Sequence, residues 1–81
     1  MRDEILDVLE ELSRNNLAAD GFQLRLEDID ETGVVTVMIE ANENACHDCL
    51  VPDEMLKGII EMGIRPVFPQ LKHVKLLKNF G

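Results

Sequence analysis

Aromatic residues are scarce in this 81-residue chain, which has three phenylalanines and neither tyrosine nor tryptophan. The hydrophobic core must therefore be built mainly from aliphatic side chains. Hydrophobic residues make up 46% of the sequence, which is enough for a folded core and too many for a disordered segment. The length predicts one small domain over residues 1–81, of a size that often needs a staple or a partner for stability.

Basic residues are also few, with eight lysines and arginines against sixteen acids and a formal net charge of −8. Phosphate backbones and anionic lipid surfaces are bound by basic faces, so this charge argues against nucleic acid and membrane partners. The longest apolar runs fall well short of the ~20 residues that span a membrane. The acidic, amphipathic start Met1-Arg2-Asp3-Glu4 does not resemble a signal peptide, so we expect a cytoplasmic protein.

Hydrophobic spacing predicts the element order α-β-β-α-β. Apolar residues recur at intervals of three and four in the predicted helices and alternate with polar residues in the predicted strands. These elements are a helix over 3–18, strands over 22–29 and 34–40, a helix from 52 to about 68, and a strand over 71–77. Gly63 and Pro66 predict a kink or break in the second helix. Met38, Met55 and Met62 are expected to fill gaps in the core.

This order predicts an α/β (α+β) fold with a three-stranded mixed sheet and both helices packed on one face. The first two strands are close enough in sequence to form an antiparallel hairpin. The second helix crosses over from the hairpin to the last strand, which predicts a parallel pairing there.

Cysteine occurs only at Cys46 and Cys49, in the predicted loop 41–51. Two thiolates at this spacing reach one metal ion, one cluster or each other, and they are half of a usual tetrahedral or cluster ligand set. In the cytosol such a pair indicates a metal or redox site more often than a structural disulfide.

Three interpretations of the pair remain open on the residues alone. The cysteines are ordinary reduced side chains, or a thioredoxin-like redox pair, or half of an intersubunit metal or cluster site that a second copy completes. The redox interpretation is weakened because Cys46 precedes the helix-starting Pro52 by six residues. His47 and His73 are expected at the surface, as are Glu43 and Asp48, while Leu50 and Val51, if exposed, are candidate contacts for a dimer partner or client.

Four stretches of the chain resemble the carboxy-terminal domain of NifU, the NifU-like (Nfu) family. Leu17-Ala18-Ala19-Asp20-Gly21 is similar to the family's L-x-A-D-G, and Cys46-x-x-Cys49 follows the hairpin as it does there. Leu56-Lys57-Gly58-Ile59-Ile60-Glu61 is similar to T-L-K-x-x-I-E, and Pro69-Gln70-Leu71-Lys72-His73-Val74 resembles P-x-V-x-x-V. The resemblance covers nearly the whole chain with almost no gaps.

The resemblance implies an iron-sulfur cluster scaffold or carrier rather than an enzyme. Cys46 and Cys49 from each of two chains would bind a cluster, generally 4Fe-4S, so the loaded protein would be a homodimer. Client apo-proteins would take the cluster by thiolate exchange. The alternative functions, which use the same pair, are a thiol–disulfide redox protein and a zinc-binding interaction module.

Overall fold

The computed structural model describes residues 2–80, which form a three-stranded sheet covered by two α-helices. The order is α1 (Arg2–Leu12), β1 (Phe22–Ile29), β2 (Val34–Ala41), α2 (Asp53–Ile64) and β3 (His73–Lys78). Strand β2 is central, antiparallel to β1 and parallel to β3. The predicted α-β-β-α-β order, the mixed sheet and both strand pairings are therefore confirmed.

The core lies between the sheet and the helices, and alternation along β2 shows which face is covered. Val35, Val37 and Ile39 are fully buried, whereas the residues between them are half-buried. The helices contribute apolar residues at intervals of four, namely Ile5 and Leu9 from α1 and Leu56, Ile60 and Ile64 from α2. The core is mainly aliphatic, as the composition predicts.

The helical segment that begins with α1 continues past Leu12 with a different helical pitch. After α1 the chain forms a π turn at Ser13–Leu17 and a 3₁₀ turn at Ala18–Asp20, and Gly21 then reverses direction with φ +89°. Positive φ is readily available to glycine, which explains a helix stop at this residue. The sequence predicted the extent of this helical segment but not its change of pitch.

Each edge strand gives one backbone N–H to a side chain from the helical layer. The Leu24 N–H of β1 donates to Ser13 Oγ at 2.9 Å, and the Ser13 hydroxyl donates to the Leu9 carbonyl at 2.7 Å. The Val74 N–H of β3 donates to Glu61 Oε2 at 2.9 Å. These bonds join both sheet edges to the helices that cover them.

The second helix ends at Ile64, earlier than the predicted residue 68. Gly63 lies inside the helix, where an added Cβ would be 3.0 Å from Val8 Cγ1, so glycine lets α1 and α2 approach closely. The helix stops before Pro66, and the Val67 and Phe68 N–H groups both donate to the Ile64 carbonyl, at 2.9 and 2.8 Å. Strand β3 correspondingly starts at His73 instead of residue 71.

The prediction that the methionines fill the core is wrong for two of them. Met55 is 57% exposed and Met62 is 77% exposed, while Met38 is half-buried. The buried face of α2 is set by residues 56, 60 and 64, and at about 100° per residue Met55 and Met62 fall outside it.

Within residues 2–80, no helix has the length and apolar character needed to cross a membrane.

Candidate functional site

The two cysteines lie together in the connection between β2 and α2. Cys46 precedes a short 3₁₀ turn at His47–Cys49, and this turn brings the two residues to a Cα–Cα distance of 5.3 Å. Their sulfur atoms are joined as a disulfide with an S–S distance of 2.09 Å. The predicted loop position of the pair is confirmed, and the two side chains do reach each other.

The two cysteines differ in exposure and in how their backbones are held. Cys46 is half-buried, and its N–H donates to the Asp20 carbonyl at 2.8 Å. Cys49 is exposed, and its N–H donates to the Cys46 carbonyl at 3.0 Å within the turn. Cys46 is therefore tied to the body of the fold, whereas this bond ties Cys49 only to the loop itself.

The base of the cysteine loop is fastened to the turn before β1. The Asn42 N–H donates to the Gly21 carbonyl at 2.9 Å, and Asn42 Oδ1 accepts the Asn44 N–H at 2.9 Å. A Cβ on Gly21 would lie 2.7 Å from both Ala45 Cα and Asn42 Oδ1. Gly21 thus serves two purposes: it permits the positive φ that ends the helical segment, and it leaves room for the loop.

His47, between the cysteines, is exposed as predicted, but its ring also makes aromatic contacts. Its centroid lies 5.6 Å from that of Phe22 and 5.0 Å from that of Phe80, both in edge-on geometry. Phe22 is buried at the start of β1, and Phe80 follows β3. The imidazole therefore connects the cysteine turn to both edge strands at one end of the sheet, where β1 begins and β3 ends.

The last residue of β3 and the two residues after it hold both ends of the cysteine loop, and we call Lys78, Asn79 and Phe80 the clasp. The Asn79 side chain accepts the Ala41 N–H at 3.3 Å, where β2 ends. Lys78 Nζ lies 2.8 Å from Asp53 Oδ1, where α2 begins. Sequence reasoning did not find the clasp; the one signal was that Phe80 is among only three phenylalanines.

The other residues that were predicted to lie at the surface are exposed. Glu43 and Asp48 are exposed in the loop, and His73 is exposed opposite Val34, at the other end of the sheet. Leu50 and Val51 are half-buried and pack against the core, so they are not the freely exposed contacts that were considered.

The arrangement offers two sulfur atoms for chemistry. In residues 2–80 no cluster of three or more histidine, cysteine, aspartate or glutamate side chains is placed to hold a metal ion. Reduction of the disulfide by two electrons and two protons gives a dithiol, whose thiolate form is a soft pair of metal ligands.

The chain matches no protein-family model, and a search of curated proteins finds no match to it.

Proposed function

We propose that this protein is a cytoplasmic scaffold or carrier of iron-sulfur clusters. Cys46 and Cys49 from each of two copies would supply four thiolates, and the cluster would be cargo rather than a permanent cofactor. The observation that carries the proposal is a pair of sulfur atoms held together on a partly exposed loop whose base is fixed to the fold. The resemblance of the sequence to the NifU-like family supports the same function.

The difference between the two cysteines suggests an order for cluster release. Cys49 is exposed and Cys46 is half-buried with its N–H bonded to Asp20. A client thiolate would first form a bond to the iron held by Cys49 as the Cys49 thiolate leaves, and a second exchange would then free Cys46. The same two exchanges at the second copy would complete the transfer. Each exchange makes one Fe–S bond and breaks one, so neither step changes an oxidation state.

Loading requires the dithiol form of the pair. A thiol reductant would supply two electrons and two protons to open the Cys46–Cys49 disulfide, becoming a disulfide itself. The cytoplasm keeps such pairs reduced, which is why we place the protein there. The protein would act stoichiometrically, one cluster for each pair of chains, rather than as an enzyme.

Anaerobic reconstitution tests the proposal. Reduced protein supplied with iron and sulfide should turn brown, with broad absorbance at about 400 nm and about four irons per pair of chains if the cluster is 4Fe-4S. Cys46→Ser and Cys49→Ser should each prevent loading while the fold persists. Asp48→Ala is the matched control, because it removes an exposed side chain between the cysteines and should load normally. Wild-type protein that takes up no iron and sulfide would refute the proposal.

The Cys46–Cys49 disulfide itself favours a second candidate, a thiol–disulfide redox protein. The exposed Cys49 thiolate would attack a substrate disulfide, form a mixed disulfide and release one substrate thiolate. Cys46 would then attack the Cys49 sulfur, release the second thiolate and close the Cys46–Cys49 bond, so that two electrons pass to the substrate. Reversible cycling in glutathione buffers without iron uptake would favour this candidate, and stoichiometric zinc without iron would favour a zinc-binding interaction module.

A further inference from the structure

The outer surface of α2 carries an apolar stripe that is separate from the core. Met55 and Met62 are 57% and 77% exposed, and Ile59, between them, is half-buried. Intervals of four and three residues place these side chains along one side of a helix. We call Met55, Ile59 and Met62 the methionine stripe; at 1.5 Å per residue it spans about 10 Å, or two helical turns.

The surface beside the methionine stripe is open to close approach. Apart from its chain neighbours and the adjacent backbone of α2, no heavy atom of the described chain lies within 4 Å of a Cβ built on Gly58, which precedes Ile59. Long, flexible methionine side chains adapt to differently shaped apolar partners. The stripe also begins only three residues after Pro52, where the cysteine loop passes into α2, so a partner bound there would be close in sequence to the proposed cluster site.

The neighbouring helix gives this region a negative border. Helix α1 packs against α2 where Val8 approaches Gly63, and the exposed residues Asp7 and Glu11 lie on α1 one and three residues from Val8, on its outward side at about 100° per residue. Glu54 is also exposed, in the first turn of α2. Lys57 is on the same helix, but at about 100° per residue it lies on the side opposite Met55 and Ile59. At the end of the helix, Arg65 donates to the Leu71 carbonyl at 3.1 Å.

We infer that the methionine stripe is the docking surface for the client protein, and that it fits an amphipathic segment with one apolar face and basic flanks. The apolar face would cover the stripe, and lysine or arginine would lie opposite Asp7 and Glu11. The inference rests on the proposed carrier function, since the partner is the protein that receives the cluster. A second copy fits less well because two chains of net charge −8 would bring acidic borders together.

The test uses the full, reduced, cluster-free chain and two synthetic helical peptides, one built of leucine and lysine and the other of leucine and glutamate. Amide chemical shifts are followed by NMR and affinities by calorimetry. The lysine peptide should perturb signals over 54–63, and the glutamate peptide should not bind. Met55→Ser combined with Met62→Ser should weaken the lysine peptide by at least about tenfold, because burial of both side chains is lost.

Leu6→Ser is the matched control. Leu6 is 41% exposed, but it lines a groove with residues 23–26 of β1 and is not part of the stripe, so its replacement should leave peptide affinity unchanged. Equal weakening by Leu6→Ser, equal binding of both peptides, or shifts confined to other elements would overturn the inference. Self-association that the double methionine variant abolishes would also overturn it, in favour of a second copy as the occupant.

Cluster loading of the same variants separates the two proposals. The double methionine variant should load iron and sulfide like the wild type, because neither methionine is a ligand. Loading without peptide binding would overturn the docking surface and leave the carrier function in place. Peptide binding by a chain that never loads would overturn the assignment of the partner as a cluster client.

Discussion

The backbone N–H of Leu24 donates a 2.9 Å hydrogen bond to the hydroxyl of Ser13, which joins the π turn to edge strand β1. Ser13 is the buried polar residue of the described chain, with 9% of its surface exposed. Its hydroxyl donates in turn to the Leu9 carbonyl at 2.7 Å, so one side chain serves both a strand and a helix. The π turn places this hydroxyl where the strand edge needs an acceptor.

Ser13→Ala should lower the free energy of unfolding by about 1–2 kcal/mol, because the partly buried Leu24 N–H loses its acceptor. Urea unfolding in the presence of a thiol reductant measures the change. Asn16→Ala is the control, since it removes an exposed side-chain bond of 3.3 Å to the Leu12 carbonyl in the same turn. The control should change stability by less than about 0.5 kcal/mol, and equal losses in the two variants would contradict the proposed role of Ser13.

Gly21→Ala should destabilise the fold by more than about 2 kcal/mol, because a side chain is unfavourable at φ +89° and its Cβ would meet Ala45 Cα at 2.7 Å. Thermal or urea unfolding measures the stability. Proton–nitrogen NMR spectra should show the largest changes over 42–50. The disturbance should therefore reach the cysteine loop as well as the end of the helical segment.

Gly58→Ala provides a matched glycine control for that variant. It lies inside α2 with open space around the position of a Cβ, so alanine should stabilise the protein by about 0.5–1 kcal/mol. A gain of stability for Gly58→Ala and a loss for Gly21→Ala would support the difference in backbone conformation and packing between the two positions. A loss of stability at Gly58 comparable to that at Gly21 would show that the local environments are not as described.

His47 and Phe80 should be energetically coupled across the cysteine loop. Their ring centroids are 5.0 Å apart in edge-on geometry, and a double-mutant cycle with alanine at each position should give a coupling energy of about 0.5–1 kcal/mol. If the clasp steadies the loop, both single variants should also lose a loaded cluster faster than the wild type. If the changes in unfolding free energy of the two single variants add up to that of the double variant, the ring contact does not stabilise the fold.

Asp30 should make the hairpin turn sensitive to acid. The Thr32 N–H donates to Asp30 Oδ1 at 2.6 Å and the Thr32 hydroxyl at 2.8 Å, and these bonds lower the pKa of the Asp30 carboxyl from its ordinary value of 3.8. A lowered pKa in the folded state means that the ionised carboxylate stabilises the protein at neutral pH. That stabilisation is lost as the pH falls through the lowered value.

Comparing melting temperatures of wild type and Asp30→Ala over a pH series checks this effect. The difference should be largest at neutral pH and should shrink once the pH drops below 3.8. Glu31→Ala, which removes an exposed acid from the same turn, should produce the smaller difference at neutral pH. A pH-independent difference for Asp30→Ala would contradict the assignment of the stabilisation to the ionised carboxylate.

Much of the fold follows from local patterns in the sequence. The pattern of residues 34–40 predicted the second strand and its buried face, and Val35, Val37 and Ile39 are indeed fully buried. The acidic turn at 30–33 and the crossover helix then fixed an antiparallel and a parallel pairing. The end of α2 was less predictable, because a proline marks a region where a helix must stop but not the residue at which it does.

The candidate site was only partly accessible from sequence. The spacing of Cys46 and Cys49 identified the pair and its loop. The clasp was not predictable, because the contact of Phe80 with His47 depends on packing between segments that are distant in sequence. The exposure of Met55 and Met62 was missed for a related reason. Periodicity shows that a helix has an apolar side, but the neighbours that cover it are decided by the tertiary arrangement.

The bond from Val74 to Glu61 also bears on how copies of this chain can meet. A strand adding to β3 would compete with a carboxylate already bound to that N–H, at a cost of about 1 kcal/mol or more. This hydrogen bond therefore disfavours extension of the sheet from one copy into another at the β3 edge. Two copies gathered around a shared cargo would instead touch through their loops, and they would separate again without unravelling any β-ladder.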